Sequence, residues 1–280
     1  MTKHFLLSDV IRSKAKYVVR NDNFIDVLQK THNVLYTQDR FYDIYIPPET
    51  YPGLTIWDDS FWKNANEAIT HALGNIKGKL ILDLGSGIGE DTQYLLKKGA
   101  RVVSLDSSEK CLLFSQRANK NLHIRADATD LSFFKAKSFD IVFGREVLHH
   151  VDTDKCLMEV QRILKNKGFA VFQESLKYNL LIAVYRILKK KERVPQHPFS
   201  PNELSCIAKK YFRNLETKFL YTLLPMLYII KVFIPQKTKK ASSLYNTFFS
   251  KIDLSLSNKV PFFAWEEIIT MSNKSTVHLL

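Results

Sequence analysis

Apolar and polar positions follow two alternating rhythms in the centre of the chain. Short β-branched and apolar runs stand at KLILDL (79–84), RVVSLD (101–106), NLHIRAD (121–127), FDIVFG (139–144) and GFAVFQES (168–175). Runs of this length with so few polar interruptions suit strands covered on both faces. Helical spacing fills three of the gaps, at EDTQYLLKKG, SEKCLLFSQRANK and DKCLMEVQRILKNKG. Gly99 and Gly168 stand where the first and third of these helices should stop in a left-handed residue. The alternation predicts a parallel sheet with helices on both sides.

Outside this core the pattern predicts helices over 8–19 and 22–36, then a Tyr/Pro-rich loop, FYDIYIPPETYPG, and a helix over 58–76. Beyond the core, 176–191 reads as helical. A further helix opens at Ser200-Pro201, where Glu203 completes an S-x-x-E capping box. A strand is expected over 214–224, then two apolar, basic helical stretches and a last strand over 261–272. No internal repeat is present, which excludes solenoids.

Composition narrows the class. With 280 residues, 45% of them hydrophobic, the chain has room for one large domain or two small ones and is too apolar for disorder. Cys111, Cys156 and Cys206 have no metal or redox spacing and read as reduced thiols of a cytoplasmic protein. The apolar run Phe5 to Leu7 is too short for a signal-peptide core. The stretch Phe219 to Ile234 falls short of the ~20 residues that span a bilayer and is broken by Pro225 and Lys231. The net charge of +13 is unevenly spread: residues 177–280 carry 17 Lys/Arg against 6 Asp/Glu. That excess suits an anionic partner, or is simply a lysine-rich surface.

Chemistry concentrates at Ile81-Leu82-Asp83-Leu84-Gly85-Ser86-Gly87-Ile88-Gly89-Glu90, a strand running into a glycine-rich turn that opens a helix. Such a turn lets the backbone approach a ligand, and the helix N-terminus offers free N–H groups to an anion. The dinucleotide pattern G-x-G-x-x-G needs a third glycine where Glu90 stands, which disfavours a nicotinamide-dependent reductase. Asp106 ends the second core strand, where a carboxylate can accept both hydroxyls of a ribose, and Asp127 ends the third, where one can accept from an adenine amino group. Both stand at the C-terminal ends of parallel strands, the edge where open α/β sheets bind ligands.

Taken together, D-L-G-S-G-I-G, S-L-D, R-A-D-A and F-D-I-V-F-G-R-E-V-L-H-H-V resemble a class I S-adenosylmethionine-dependent methyltransferase of the small-molecule type, densely over 58–176 and loosely beyond. The resemblance implies a Rossmann-like, doubly wound sheet of seven strands ordered 3-2-1-4-5-7-6, with an N-terminal helical cap or lid (1–57). The methyltransferase domain would fill 58–280: core 77–176, basic apolar insert 219–258, and last strand 261–272. It also implies that Gly85, Gly87 and Gly89 line the methionine and ribose portion of the cofactor. Asp83 would lie near the methionine amino group and Asp106, with Ser107, at the ribose. Asp127 and Ala128 would meet the adenine, and Arg145 would border the cofactor. S-adenosylhomocysteine would be the product.

Methyl transfer from a sulfonium is an in-line displacement that depends mainly on alignment, so a missing triad does not exclude an enzyme. Four residues are candidates for acid–base work. His149 and His150 follow the fourth strand, Glu174 closes the fifth, and His197 lies in the loop Arg193 to Pro198, which resembles one that flanks the acceptor in a branch of these enzymes. Each also has a structural reading as packing, salt bridge or turn. No metal is expected, since adjacent histidines diverge and Asp152 suits a helix N-cap. Tyr36, Tyr42, Tyr45, Tyr51, Trp57 and Trp62 are candidates for an aromatic lid.

The expected function is methyl transfer to a small-molecule or lipid-linked acceptor, at oxygen rather than nitrogen. The apolar, lysine-flanked insert would make peripheral contact with an anionic membrane at its inner face. Nucleic acid is not an expected partner: FGRE stands where amino-methylating DNA enzymes carry N-P-P-Y or D-P-P-Y. Two other readings stay open, an RNA methyltransferase using the basic C-terminal third and a non-catalytic scaffold at a membrane surface. The sequence leaves the oligomeric state open.

Overall fold

All five residues of Leu80–Leu84 are buried, and their side chains divide strictly by parity. Leu80, Leu82 and Leu84 enter one core and Ile81 the other. A strand apolar at every position is thus explained by a sheet covered on both faces. The computed structural model describes residues 10–21, 23–27, 63–180, 197–223 and 250–273.

One sheet holds nine described strands: β1 (Val18–Asn21), β2 (Phe24–Asp26), β3 (Leu80–Leu84), β4 (Arg101–Asp106), β5 (Leu122–Arg125), β6 (Phe139–Arg145), β7 (Leu164–Ser175), β8 (Asn214–Leu220) and β9 (Glu266–Ser272). They are ordered β1-β2-β5-β4-β3-β6-β7-β9-β8. Strands β2 to β7 run parallel, while β1, β9 and β8 each pair antiparallel. The described helices are α1 (Lys63–Leu73), α2 (Glu90–Lys97), α3 (Glu109–Ala118), α4 (Thr153–Ile163), α5 (Glu203–Ala208) and α6 (Ser250–Lys259). The face holding Ile81, Ile141 and Val171 packs against Ala65 and Ile69 of α1 and Leu95 of α2. The opposite face, with Leu82, Val103 and Phe172, packs against Leu157 and Val160 of α4 and Leu204 of α5.

Four expectations are corrected. Among the described residues the sheet has nine strands rather than seven. Two of them come from the N-terminal segment read as a helical cap: residues 18–21 and 24–26 form a short hairpin, and β2 extends the sheet beyond β5. The helix after β6 stops at Ile163, and the next residue, Leu164, already pairs with Phe139. Gly168 is accordingly not a left-handed stop. It lies inside β7, where an added Cβ would come within 3.0 Å of the Asp140 carbonyl oxygen. Gly99 does close its helix, at φ +83°. The last strand starts at Glu266 rather than 261, after a single 3-10 turn over Pro261–Phe263.

The helix expected to open at Ser200-Pro201 starts at Glu203, with Asn202 rather than Ser200 at its N-cap, although the Glu203–Ser200 pairing of the expected box is present. Glu203 Oε2 accepts from the Ser200 N–H at 2.9 Å and from the Ser200 hydroxyl at 2.5 Å. The aromatic lid candidates, most of the 176–191 helix, residues 193–196 and the centre of the basic insert lie outside the described residues.

Candidate functional site

The turn after β3 is built on left-handed backbone, with φ +71° at Gly85, +51° at Gly87 and +86° at Gly89. Two of these glycines also answer to close packing. A Cβ on Gly85 would meet the Val147 side chain at 2.6 Å, and one on Gly89 would meet Ser115 Oγ at 2.0 Å. At Gly87 nothing lies within 4 Å of that direction, so the middle of the turn faces open space.

Asp106 closes the turn from the neighbouring strand. Its Oδ2 accepts from the Gly87 N–H and its Oδ1 from the Ser108 N–H, both at 2.8 Å. Asp127 Oδ1 accepts from both the N–H and the hydroxyl of Thr129 at 2.8 Å. Gly85, Asp106, Ser107, Asp127 and Ala128 line one cleft at the C-terminal edge of the sheet, together with Glu146, Val147 and His150. The sequence reading brought most of this constellation together. Glu146 it missed: in the string GREVLHH nothing marks one carboxylate as the residue that turns into the cleft.

Asp83 and Arg145 serve the cleft from behind. Asp83 is 2% exposed, and Thr92 on α2 donates its hydroxyl to Asp83 Oδ2 at 2.5 Å. Burial, then the nearby Asp91 and Asp106 carboxylates, push the Asp83 pKa up to about 8, against the pull of the Thr92 hydrogen bond. Arg145 donates to both oxygens of Asp91 at 3.0 Å and to Gln173 Oε1 at 2.6 Å. Burial opposes its charge, but Asp91 more than offsets that and holds the guanidinium above its ordinary range. Arg145 therefore ties the first turn of α2 to the ends of β6 and β7. Gln173 in turn donates to Glu266, whose pKa burial and the Glu146 charge raise well above the ordinary value.

The acid–base candidates separate by burial. Glu174 is fully buried, and its Oε1 accepts from the N–H groups of Val147 and Leu148 at 3.0 and 2.7 Å. Its Oε2 lies 2.6 Å from His149 Nδ1, and the His149 ring is itself 1% exposed. The His150 ring lies 4.1 Å from that of His149, tilted by 39°, and lines the cleft. His197 is exposed, but its N–H donates to the His149 carbonyl at 3.0 Å, which brings its loop beside the same turn. Asp152 caps α4 by accepting from the Lys155 N–H.

Residues 82–172 match the family described as a methyltransferase domain. Among curated proteins, the chain is 36% identical over 128 residues to a demethylmenaquinone methyltransferase of Clavibacter sepedonicus, covering 43% of this chain and 50% of that one. It is 30% identical over 160 residues to a ubiquinone biosynthesis O-methyltransferase of Pelagibacter ubique, covering 53% and 65%. The chain thus aligns with about half to two thirds of the length of these relatives. Among solved structures, a Haemonchus contortus phosphoethanolamine N-methyltransferase 2 in complex with S-adenosyl-L-methionine superposes with a TM-score of 0.55. Identity there is 20%, over 85% of this chain and 57% of that one. Residues 82–172 thus match a methyltransferase domain, and the fold is the one shared with that S-adenosyl-L-methionine complex.

Proposed function

We propose that this chain transfers a methyl group from S-adenosylmethionine to an oxygen of a small-molecule or lipid-linked acceptor and releases S-adenosylhomocysteine. The observation that carries the reading is the Asp106 carboxylate, clasped by the Gly87 and Ser108 N–H groups beside an open glycine turn. A carboxylate so oriented at the end of β4 suits a ribose diol, and Asp127 and Ala128 one strand further out suit an adenine. The glycine turn between β3 and α2 would receive the methionine portion. S-adenosylmethionine supplies a methyl carbon on a cationic sulfur that leaves as a neutral thioether. The protein's task is then to align the acceptor, exclude water and take a proton.

Oxygen is favoured by the carboxylate and imidazole groups at the β6 end of the cleft, which suit an acceptor that must lose a proton. Of the relatives, one is named for demethylmenaquinone and another for O-methylation in ubiquinone biosynthesis, which supports a quinone-type ring as acceptor class, the second name alone speaking for oxygen.

Calorimetric titration with S-adenosylhomocysteine, with NADH for comparison, tests the reading. Micromolar binding of the first alone, lost in Asp106→Ala, is expected. Binding of NADH, or binding of neither ligand with or without anionic liposomes, would overturn it.

A further inference from the structure

Glu146 holds a conformation that its residue type disfavours. Its φ is +56°, in the left-handed region that costs a non-glycine residue free energy. Sites that keep such strain are fixed by their surroundings and cluster where geometry serves function. The surroundings here are explicit. The Glu146 N–H donates to the Gln173 carbonyl at 2.8 Å, and the next two N–H groups, of Val147 and Leu148, donate to the buried Glu174. The chain leaving β6 is thus fastened to β7 on both sides of Glu146, and the turn between is forced left-handed.

The consequence is where the side chain goes. Glu146 is 37% exposed and lines the cleft, whereas Glu174 and His149 behind it are sealed from solvent. Its Oε2 accepts from the Ser175 hydroxyl at 2.7 Å and lies 3.8 Å from His149 Nε2. His149 is itself clamped by Glu174 at 2.6 Å, so the carboxylate is braced by a hydroxyl and by an imidazole that cannot move away.

Sheet order says which end of the ligand this group meets. Along the cleft the strands run β5, β4, β3, β6. On the reading proposed above, these carry in turn Asp127 for the adenine, Asp106 for the ribose and the glycine turn for the methionine portion. The β6 end comes next. Val147 touches Gly85 so closely that a Cβ there would overlap it, which sets Glu146 directly beside the glycine turn. We infer that Glu146, rather than His149, His150 or Glu174, is the catalytic base that faces the acceptor, with His149 and Glu174 as positioning residues behind it.

In the step, the acceptor oxygen forms a bond to the methyl carbon while the carbon–sulfur bond breaks, leaving a neutral thioether. The proton of the acceptor hydroxyl passes to a Glu146 carboxylate oxygen. No oxidant or further reactant is needed. The inference rests on the S-adenosylmethionine reading, and its test can fail separately from that reading.

The test uses two ligands and no acceptor. Sinefungin is an S-adenosylmethionine analogue with an ammonium group in place of the methylsulfonium, so its positive charge points where the methyl would travel. A carboxylate at that point forms a charge-assisted hydrogen bond with it. Titration of Glu146→Gln is expected to weaken sinefungin binding by about 10–100-fold while leaving S-adenosylhomocysteine within about twofold of the unaltered protein. Glu146→Asp and Glu146→Asn form a second pair, since both residue types tolerate left-handed backbone. Aspartate should keep most of the sinefungin preference and asparagine should lose it. An unchanged sinefungin affinity in Glu146→Gln, or equal affinities in the second pair, overturns the assignment. Failure of the unaltered protein to bind either ligand overturns the cofactor reading instead.

Discussion

Glu174 and His149 stand 25 positions apart in sequence, yet Glu174 Oε2 and His149 Nδ1 are 2.6 Å apart inside the protein. Both are sealed from solvent, and the same carboxylate takes three backbone N–H groups of the turn that carries the histidine. One buried carboxyl group therefore organises the whole exit from β6, including the left-handed residue just before it.

Replacing that carboxyl group by a hydrocarbon takes the acceptor away from its buried donors, each at a cost of about 1–3 kcal/mol. Glu174→Leu is expected to lose about 3–5 kcal/mol of stability, in the range seen when one member of a buried charged set is removed. Glu174→Gln, which keeps an acceptor oxygen, should lose less. Urea unfolding measures both, and a loss below about 1 kcal/mol for the leucine variant would show that the turn does not depend on Glu174.

Gly89 tests whether the glycine turn is fixed by packing as well as by backbone angle. At φ +86° a side chain is strained, and its Cβ would also run into Ser115 Oγ and Asn119 Nδ2 at 2.0 and 2.5 Å. Asn119 donates to the Gly89 carbonyl at 3.0 Å, so it cannot simply turn away without loss. Gly89→Ala is expected to cost about 2–4 kcal/mol, backbone strain and overpacking adding. Thermal melting gives the readout. Gly89→Ala in a Ser115→Ala background should recover only part of the loss, because Asn119 remains.

The pH dependence of stability carries a definite sign. Glu267 is fully buried, and burial, with Glu174 and Glu203 nearby, raises its pKa from 4.5 to about 8. Between those values the folded protein holds a proton that the unfolded chain has released. Stability therefore falls as pH rises through this window, by up to about 1.4 kcal/mol per pH unit for each such group. Asp83, raised from 3.8 to about 8, acts in the same direction. Melting temperatures should thus drop between pH 5 and 8, and Glu267→Gln should drop less steeply. Parallel curves for the two proteins would exclude Glu267 as a source of the slope.

The sequence made the centre of this fold legible because strands β3 to β7 are marked locally, by runs such as LILDL and by the glycines that follow. The hairpin at 18–26 was not legible, since VVRN and FID are too short to show a period and are held by pairing with β5, about a hundred residues away. The same limit divides the site. Asp106 and Asp127 could be named as candidates because strand ends can be read from the chain. Glu146 was missed because its orientation depends on Gln173 and Glu174 in another strand. Arg145 could be named from the chain as a residue bordering the cofactor, but its engagement with Asp91, 54 positions away, could not.

That brace leads to a prediction about binding at a distance. Arg145 holds both oxygens of Asp91 and also Gln173, a planar fork that a lysine ammonium cannot reproduce. Asp91 lies in the first turn of α2, two residues after Gly89, so loosening it frees the turn that, on the proposed function, receives the cofactor. Arg145→Lys keeps the charge and should still fold, with a loss of about 1–3 kcal/mol. Its affinity for S-adenosylhomocysteine should fall by about 5–50-fold, although the side chain does not line the cleft. A protein destabilised to that extent but with unchanged affinity would mean that the glycine turn keeps its shape without the brace. An affinity loss as deep as that of Asp106→Ala would mean that the guanidinium meets the ligand itself.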